Sequence, residues 1–309
     1  MRYINIPGTN LNSSIICMGG GPLGISLNKK ESFQLLDTFI NFGGNFIDTA
    51  NIYGKWLAEG KNMSELTIGQ WIKNRKNREN IIIGTKGAHP NLDTMNIPRL
   101  SHDEIVSDLN ESLSSLQTDY IDIYWLHRDD EDSSVAEILE IMNEQVKIGK
   151  IRFFGCSNWK VERIREAMKY AAKHNVKSFV GNQMMWSYAV PNEETIGDST
   201  MVQMDKKGVD FHKDTQLTAI PYSSQAQGFF TKLEKNEGNI NSLTDNRKQK
   251  YYNVENMKRY KRALKLSSDL SKSITEIVLS YLISKPFPVI PIAGFSNTCL
   301  LYTSPSPRD

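Results

Sequence analysis

Short runs of apolar residues, many of them β-branched or aromatic, recur along the chain. Between them lie longer stretches in which apolar positions return every three or four residues. The short runs predict strands at 15–18 (IICM), 46–50 (FIDTA), 81–86 (IIIGTK), 121–127 (IDIYWLH), 151–158 (IRFFGCSN), 179–185 (FVGNQMM), 217–224 (LTAIPYSS) and 289–294 (VIPIAG). The longer patterns, ESFQLLDTFINF, SELTIGQWIKN, HDEIVSDLNESLSSL, VAEILEIMNEQVKIG, VERIREAMKYAAKH and SITEIVLSYLIS, predict helices. Ser64 before Glu65 and Ser101 before Glu104 have the form of helix starts; Gly43 and Gly149 stand where helices should end. Strand–helix alternation over eight units, without a break in composition, predicts an α/β fold. The expected architecture is one closed (β/α)8 TIM barrel over residues 1–298, although the count alone also allows a doubly wound sheet. The polar stretch at 228–258 reads as an extended loop after the seventh strand, carrying one short helix. Residues 299–309, CLLYTSPSPRD, bring Ser and Pro where a closing helix is expected. They read as a disordered tail, or as a non-native end of the kind left by sequencing adaptors.

Composition narrows the class. The chain has 309 residues, 39% of them hydrophobic, enough for a sizeable core, and a net charge of only +2. No basic stripe marks a nucleic-acid surface, and KNRKNREN at 73–80 reads as the solvated end of a helix. Cys17, Cys156 and Cys299 are scattered and form no C-x-x-C pair, which argues against a disulfide framework or a zinc site. The carboxylates Asp129, Asp130 and Asp132 lack the glycine of a calcium loop, so no metal is expected. MRYINIPGTN has no signal pattern, and no apolar run approaches membrane-spanning length. The expectation is a cytoplasmic protein with no membrane or nucleic-acid partner, its oligomeric state left open.

In CMGGGPLG, residues 17–24, the glycines at 19, 21 and 24 fit the G-x-G-x-x-G spacing of a dinucleotide-binding turn. Pro22 interrupts it, and the helical pattern starts only near Asn28 or Lys29, too late to hold a pyrophosphate on the last glycine. The strand ends are more informative. Barrel strands converge on one face at their C-terminal ends, where Asp48, Lys86 and His127 stand, with Tyr53 on the loop leaving the second strand. These types suit carbonyl reduction. A phenol titrates near about 10, and a neighbouring ammonium favours its ionised form. A carboxylate can hold that ammonium, and an imidazole can orient the carbonyl oxygen.

In the contexts NFIDTANIYG, IIIGTKGA and IDIYWLHRDD, Asp48, Tyr53, Lys86 and His127 resemble the Asp-Tyr-Lys-His tetrad of the aldo-keto reductases, over about residues 3–298. The resemblance implies NADPH or NADH, with NADPH favoured, bound across a barrel face with no Rossmann domain. It implies Tyr53 as general acid, Lys86 and Asp48 as its tuning pair, and His127 as the carbonyl-orienting donor. Ser157, Asn158 and Gln183 would then hold the nicotinamide carboxamide, and Tyr222 would stack on the ring. Ser223, Ser224, Gln225 and the amides to Gly228 would line the pyrophosphate. Gly294 and Ser296 would lie near the adenosine phosphate, and Gly20 and Gly21 would let the cofactor approach the backbone. For the substrate, Trp56, Trp159 and Trp186 are candidate apolar walls. Arg128 and Asp129 would suit a sugar-like or polyol carbonyl compound. The alternatives are a cofactor-sensing regulatory subunit of the same fold, and an aldolase using Lys86 as a Schiff base.

Overall fold

The computed structural model describes residues 1–195 and 197–295. An antiparallel hairpin, β1 (Tyr3–Asn5) with β2 (Asn12–Ser14), comes first. The chain then runs β3 (Cys17–Gly19), α1 (Lys29–Asn41), β4 (Phe46–Asp48), α2 (Met63–Arg75), β5 (Ile82–Gly87), α3 (His102–Leu116), β6 (Ile121–Leu126) and α4 (Val135–Ile148). Next come β7 (Ile151–Ser157), α5 (Val161–His174), β8 (Gly181–Gln183), α6 (Lys206–Thr215) and β9 (Thr218–Ala219). Four helices, α7 (Phe229–Lys235), α8 (Asp245–Tyr251), α9 (Val254–Leu270) and α10 (Ile274–Ile283), lead to β10 (Ile292–Ala293).

Strands β3 to β10 are parallel and lie in the order β10-β3-β4-β5-β6-β7-β8-β9. The sheet closes on itself. Ala219 N donates to Pro288 O, Ile290 N to Ala219 O and Ile292 N to Pro221 O, each at 2.9 Å, which joins β9 to the segment leading into β10. The result is the (β/α)8 barrel expected from the alternation, and each of the eight apolar runs overlaps one of its strands.

Each strand buries both faces, which is why the runs are almost continuously apolar. Inward residues, among them Phe46, Ile82, Ile123, Trp125, Ile220 and Ile290, form an inner cluster; Ile6 and Leu11, from the hairpin, join it where the strands begin. Outward residues such as Ile47, Ile83, Tyr124, Leu126 and Phe154 pack with helix residues including Leu36, Phe39, Trp71, Leu109 and Leu139. Trp125 occupies the barrel interior because its neighbours are glycines. A methyl group at Gly155 would lie 2.1 Å from the indole Cζ3, one at Gly84 2.8 Å from Nε1, and one at Gly181 3.2 Å from Cη2.

Local chemistry sets the helix starts. Asn28 with Glu31, Ser101 with Glu104 and Ser273 with Glu276 form reciprocal capping boxes on α1, α3 and α10. Gly149 ends α4 in the left-handed region. Ser64 is not a cap: α2 begins at Met63, and the buried Ser64 hydroxyl donates to Gly20 O at 2.7 Å.

The stretch at 228–258 is corrected. It is mostly helical, comprising α7, α8 and the start of α9, and it buries Phe229, Phe230, Leu233 and Tyr251 against Tyr260, Ala263, Ile274 and Val278. Its apolar residues are too sparse to announce a helical stripe: α9 buries only Asn256, Tyr260 and Ala263 over 17 residues. The hairpin and α6 were likewise not foreseen. Ser296 and the tail at 299–309 lie outside the described residues. Among the described residues, no helix is long and apolar enough to cross a membrane, and no cluster of His, Cys, Asp or Glu could hold a metal.

Candidate active site

Four of the expected side chains meet at the C-terminal ends of neighbouring strands. Asp48 closes β4, Lys86 lies near the end of β5, and His127 directly follows β6. The Lys86 ammonium donates to Asp48 Oδ2, and also to Thr49 O at 2.5 Å; both charged side chains are 3% exposed. Gln183 Nε2 donates to the other carboxylate oxygen at 2.7 Å. Tyr53 arrives on the loop after β4, where Ser64 N donates to its carbonyl at 3.3 Å and Gly54 turns with φ 105 against the start of α2. Its ring centre lies 5.2 Å from Lys86 Nζ and 6.2 Å from the centre of the His127 ring.

The charges are set by burial and neighbours. Burial pushes the Lys86 ammonium down, but the Asp48 carboxylate and the Tyr53 phenol act against it, and Lys86 ends above the ordinary lysine range. It is therefore cationic at neutral pH. Burial, with Arg128, His89 and Lys86 nearby, drives His127 well below the ordinary histidine range, so its ring is neutral. Its Nδ1 is buried with no hydrogen-bond partner among the described residues. With no acceptor for it among the described residues, the ring proton is assigned to Nε2.

Around these groups is a cleft of about 410 Å³, with Tyr53, Trp56, His89, Leu92, Met201 and Tyr222 in its walls. Through Gly19, Gly21, Ser223 and Ile292 it is continuous with a second cavity of about 690 Å³, which reaches Gly228, Lys232, Lys235, Arg247 and Gly294. Together they make one groove across the barrel face. The glycine loop sits beside it, and α1 starts only after the cap at Asn28, so no helix N-terminus follows Gly24 as a Rossmann turn requires.

A sequence model of the Aldo/keto reductase family matches residues 15–302. The chain belongs to the aldo/keto reductase family. Among curated relatives, norsolorinic acid reductase B of Dothistroma septosporum is 28% identical over 310 residues, covering 95% of this chain and 74% of the relative. A probable aryl-alcohol dehydrogenase of Saccharomyces cerevisiae is 28% identical over 290 residues, covering 87% of this chain and 80% of that one. An aryl-alcohol dehydrogenase [NADP(+)] of Phanerodontia chrysosporium is 27% identical over 322 residues, covering 96% and 79%.

This aldo/keto reductase is thus an NAD(P)-dependent oxidoreductase. Several features of the groove fit a dinucleotide. Ser157 and Asn158 line the cleft, whereas Gln183 is fully buried outside its lining, with Nε2 on Asp48 and Oε1 without a partner among the described residues. Side chains at Gly21 and Gly294 would meet nothing within 4 Å, so the groove is open there. Gly20 has a different reason to be glycine: a Cβ would press on Asp48 O at 3.0 Å and on Ser64 Oγ at 3.1 Å. Ser223, Ser224, Gln225 and Gly228 line the second cavity, Ser224 with its hydroxyl turned to Ile292 O at 2.6 Å. Asn158, at φ 62, is already engaged: its Oδ1 accepts from Tyr222 OH at 2.6 Å and from Val202 N at 3.1 Å.

Three cations that sequence reasoning missed, Lys232, Lys235 and Arg247, line the far cavity. None forms an ion pair with a carboxylate among the described residues. Burial and mutual repulsion hold Lys232 below its ordinary range, and burial does the same to Arg247, so an anion would relieve both. His89, Leu92 and Met201 were also missed; they sit on loops, with no periodic signal.

The expected substrate walls are corrected in part. Trp56 lines the cleft and is half exposed. Trp159 does not: its ring is fully buried, 5.0 Å from that of Phe179, and its Nε1 donates to Arg128 O. Trp186 stacks on Phe287 beside a different cavity. Asp129 is turned outward onto Arg163 at 3.1 Å. Arg128 lines the cleft, but its donors go to Asp198, Thr200 and His127 O at 2.8 to 2.9 Å.

Proposed function

We propose that this enzyme interconverts an aromatic aldehyde or ketone and its alcohol, with Tyr53 as the proton donor and acceptor and NADP(H) as the preferred cofactor. The carrying observation is the convergence of Tyr53, the buried Lys86–Asp48 pair and neutral His127 at one end of a cleft. A bound reduced nicotinamide supplies the hydride. His127 Nε2–H and the Tyr53 hydroxyl hold the carbonyl oxygen. As that oxygen becomes an alkoxide, Tyr53 gives up its proton to it, and the Lys86 charge stabilises the phenolate left behind. Asp48 keeps Lys86 charged and in place. The same pairing argues against a Schiff-base aldolase, which needs a free lysine amine.

Ser157 and Asn158 would hold the carboxamide, with Tyr222 against the ring. The cationic cavity of Lys232, Lys235 and Arg247 suits the phosphates, and three cations without a carboxylate partner among the described residues favour the additional 2′-phosphate of NADP(H). An aromatic substrate is favoured over a polyol because Tyr53, Trp56, Leu92 and Met201 offer apolar surface, whereas Arg128 and Asp129 are spent on internal partners. The two relatives named as aryl-alcohol dehydrogenases point the same way.

Fluorescence titration of the purified protein with NADPH and NADH, followed by steady-state assays on aromatic aldehydes, tests the reading. Tyr53→Phe should lower turnover by roughly 10²- to 10⁴-fold while leaving cofactor affinity nearly unchanged. Lys232→Ala and Arg247→Ala should weaken NADPH more than NADH. Retained turnover in Tyr53→Phe would remove Tyr53 from the acid role. Tight cofactor binding with no turnover on any carbonyl would instead favour a cofactor-sensing subunit.

A further inference from the structure

We propose that His89 recognises a hydroxyl group on the substrate, so that the cleft prefers aromatic carbonyl compounds bearing an O–H over analogues without one. The inference rests on the reading of this cleft as a carbonyl-binding site. His89 lies three residues beyond Lys86 and lines the cleft beside His127, their ring centres 4.7 Å apart and their planes at 65°. Its Nδ1 is 2.7 Å from Pro90 O. A carbonyl oxygen only accepts, so Nδ1 must be the donor. Burial, helped by Arg128 and Arg99, holds the ring below the ordinary histidine range and therefore neutral, with its single proton on Nδ1.

His89 Nε2 is left with a lone pair. It has no hydrogen-bond partner among the described residues, and it is not among the buried unpaired atoms. It is thus an acceptor that is not fully buried, on a residue that lines the cleft. His127 has the opposite polarity, with its proton on Nε2. The cleft therefore presents an imidazole donor beside an imidazole acceptor. A carbonyl oxygen satisfies the first but never the second. Water or a donor on the ligand, of which a hydroxyl is the commonest on an aromatic carbonyl compound, satisfies the second, and an apolar ligand that expels the water against Trp56 and Leu92 would leave it unpaired. A site that loses a buried hydrogen bond in this way discriminates strongly against the analogue.

The test compares the three hydroxybenzaldehydes with the matching methoxybenzaldehydes. Two quantities are read: kcat/KM with NADPH, and the dissociation constant from tryptophan quenching of the cofactor-loaded protein. In the native enzyme the best hydroxy isomer should exceed its methoxy partner by roughly ten-fold or more. His89→Phe should bring that ratio close to one, and His89→Gln, which keeps an acceptor, should preserve part of it. No hydroxyl preference in the native protein, or a ratio unchanged in His89→Phe, would overturn the assignment. Discrimination in binding without turnover would sustain His89 and remove the redox reading; turnover without discrimination would do the reverse.

Discussion

Replacing Asp48 by Asn strips the buried ammonium of Lys86 of its counter-ion. Both side chains are 3% exposed, and the remaining partner of Lys86 would be the Thr49 carbonyl at 2.5 Å. Breaking one half of such a buried pair costs about 3–5 kcal/mol. Lys86 also has an escape: it can fold in the neutral form. Deprotonating a lysine of ordinary pKa at pH 7 costs about 4.6 kcal/mol, which caps the charge-related loss. The sign follows from the direction of each shift. In the native protein Lys86 is raised, so its contribution persists throughout the range below the ordinary lysine pKa. In Asp48→Asn it is depressed, so the penalty is full at low pH and fades as pH climbs toward about 10.4. Urea unfolding followed by circular dichroism should show a deficit of about 3–5 kcal/mol at pH 7 that shrinks by pH 9.4, where the penalty on the variant's own lysine is capped at about 1.4 kcal/mol while the native contribution of Lys86 persists. Removing both charges, in Asp48→Asn with Lys86→Met, should recover most of the loss. A deficit below about 1 kcal/mol at pH 7 would refute the argument. So would one that does not shrink with pH, or a double variant no better than the single.

Two further predictions concern the buried frame. Glu65 accepts from Thr85 Oγ1 at 2.5 Å and Asn62 Nδ2 at 2.7 Å, and burial pushes it up to about 7. Its contribution is full below the unfolded pKa and is lost as pH rises through about 7, by about 3 kcal/mol in all. Glu65→Gln should therefore gain stability relative to the native chain between pH 4.5 and 8; a constant offset in urea titrations would exclude this. Gly155→Ala would force a methyl to within 2.1 Å of the Trp125 ring and should cost about 1–3 kcal/mol or more, falling when Trp125 is also changed to Leu. Additive losses in that double-variant cycle would show that the two positions do not compete for space.

The barrel was legible because its strands are buried on both faces, so IIIGTK and IDIYWLH stand out as apolar runs wherever they occur. Helix starts such as Ser101 to Glu104 were legible because a capping box is a local event. The Asp48, Tyr53, Lys86 and His127 constellation followed from strand ends, since closure brings all such ends to one face. What failed is what depends on which way the chain turns next. Asn158 adopts φ 62, and the following residue, Trp159, is packed into the core; Asp129 is turned to Arg163. Nothing in the spacing of WLHRDD or SNW says so. His89 stayed hidden because its role depends on the Pro90 carbonyl that fixes its proton. Lys232, Lys235 and Arg247 were concealed in a segment too polar to read as helix.

The indole that plugs the cylinder beneath the chemistry also limits how this enzyme can diversify. Deepening the site would mean dismantling a tryptophan and refilling the space kept clear at three glycines on separate strands, changes that must come together. Larger or differently shaped substrates are more readily reached by altering the rim, where Trp56, Leu92 and Met201 sit on loops that can vary one at a time. Selection or engineering for new specificity should therefore accumulate changes around the mouth and leave the floor untouched.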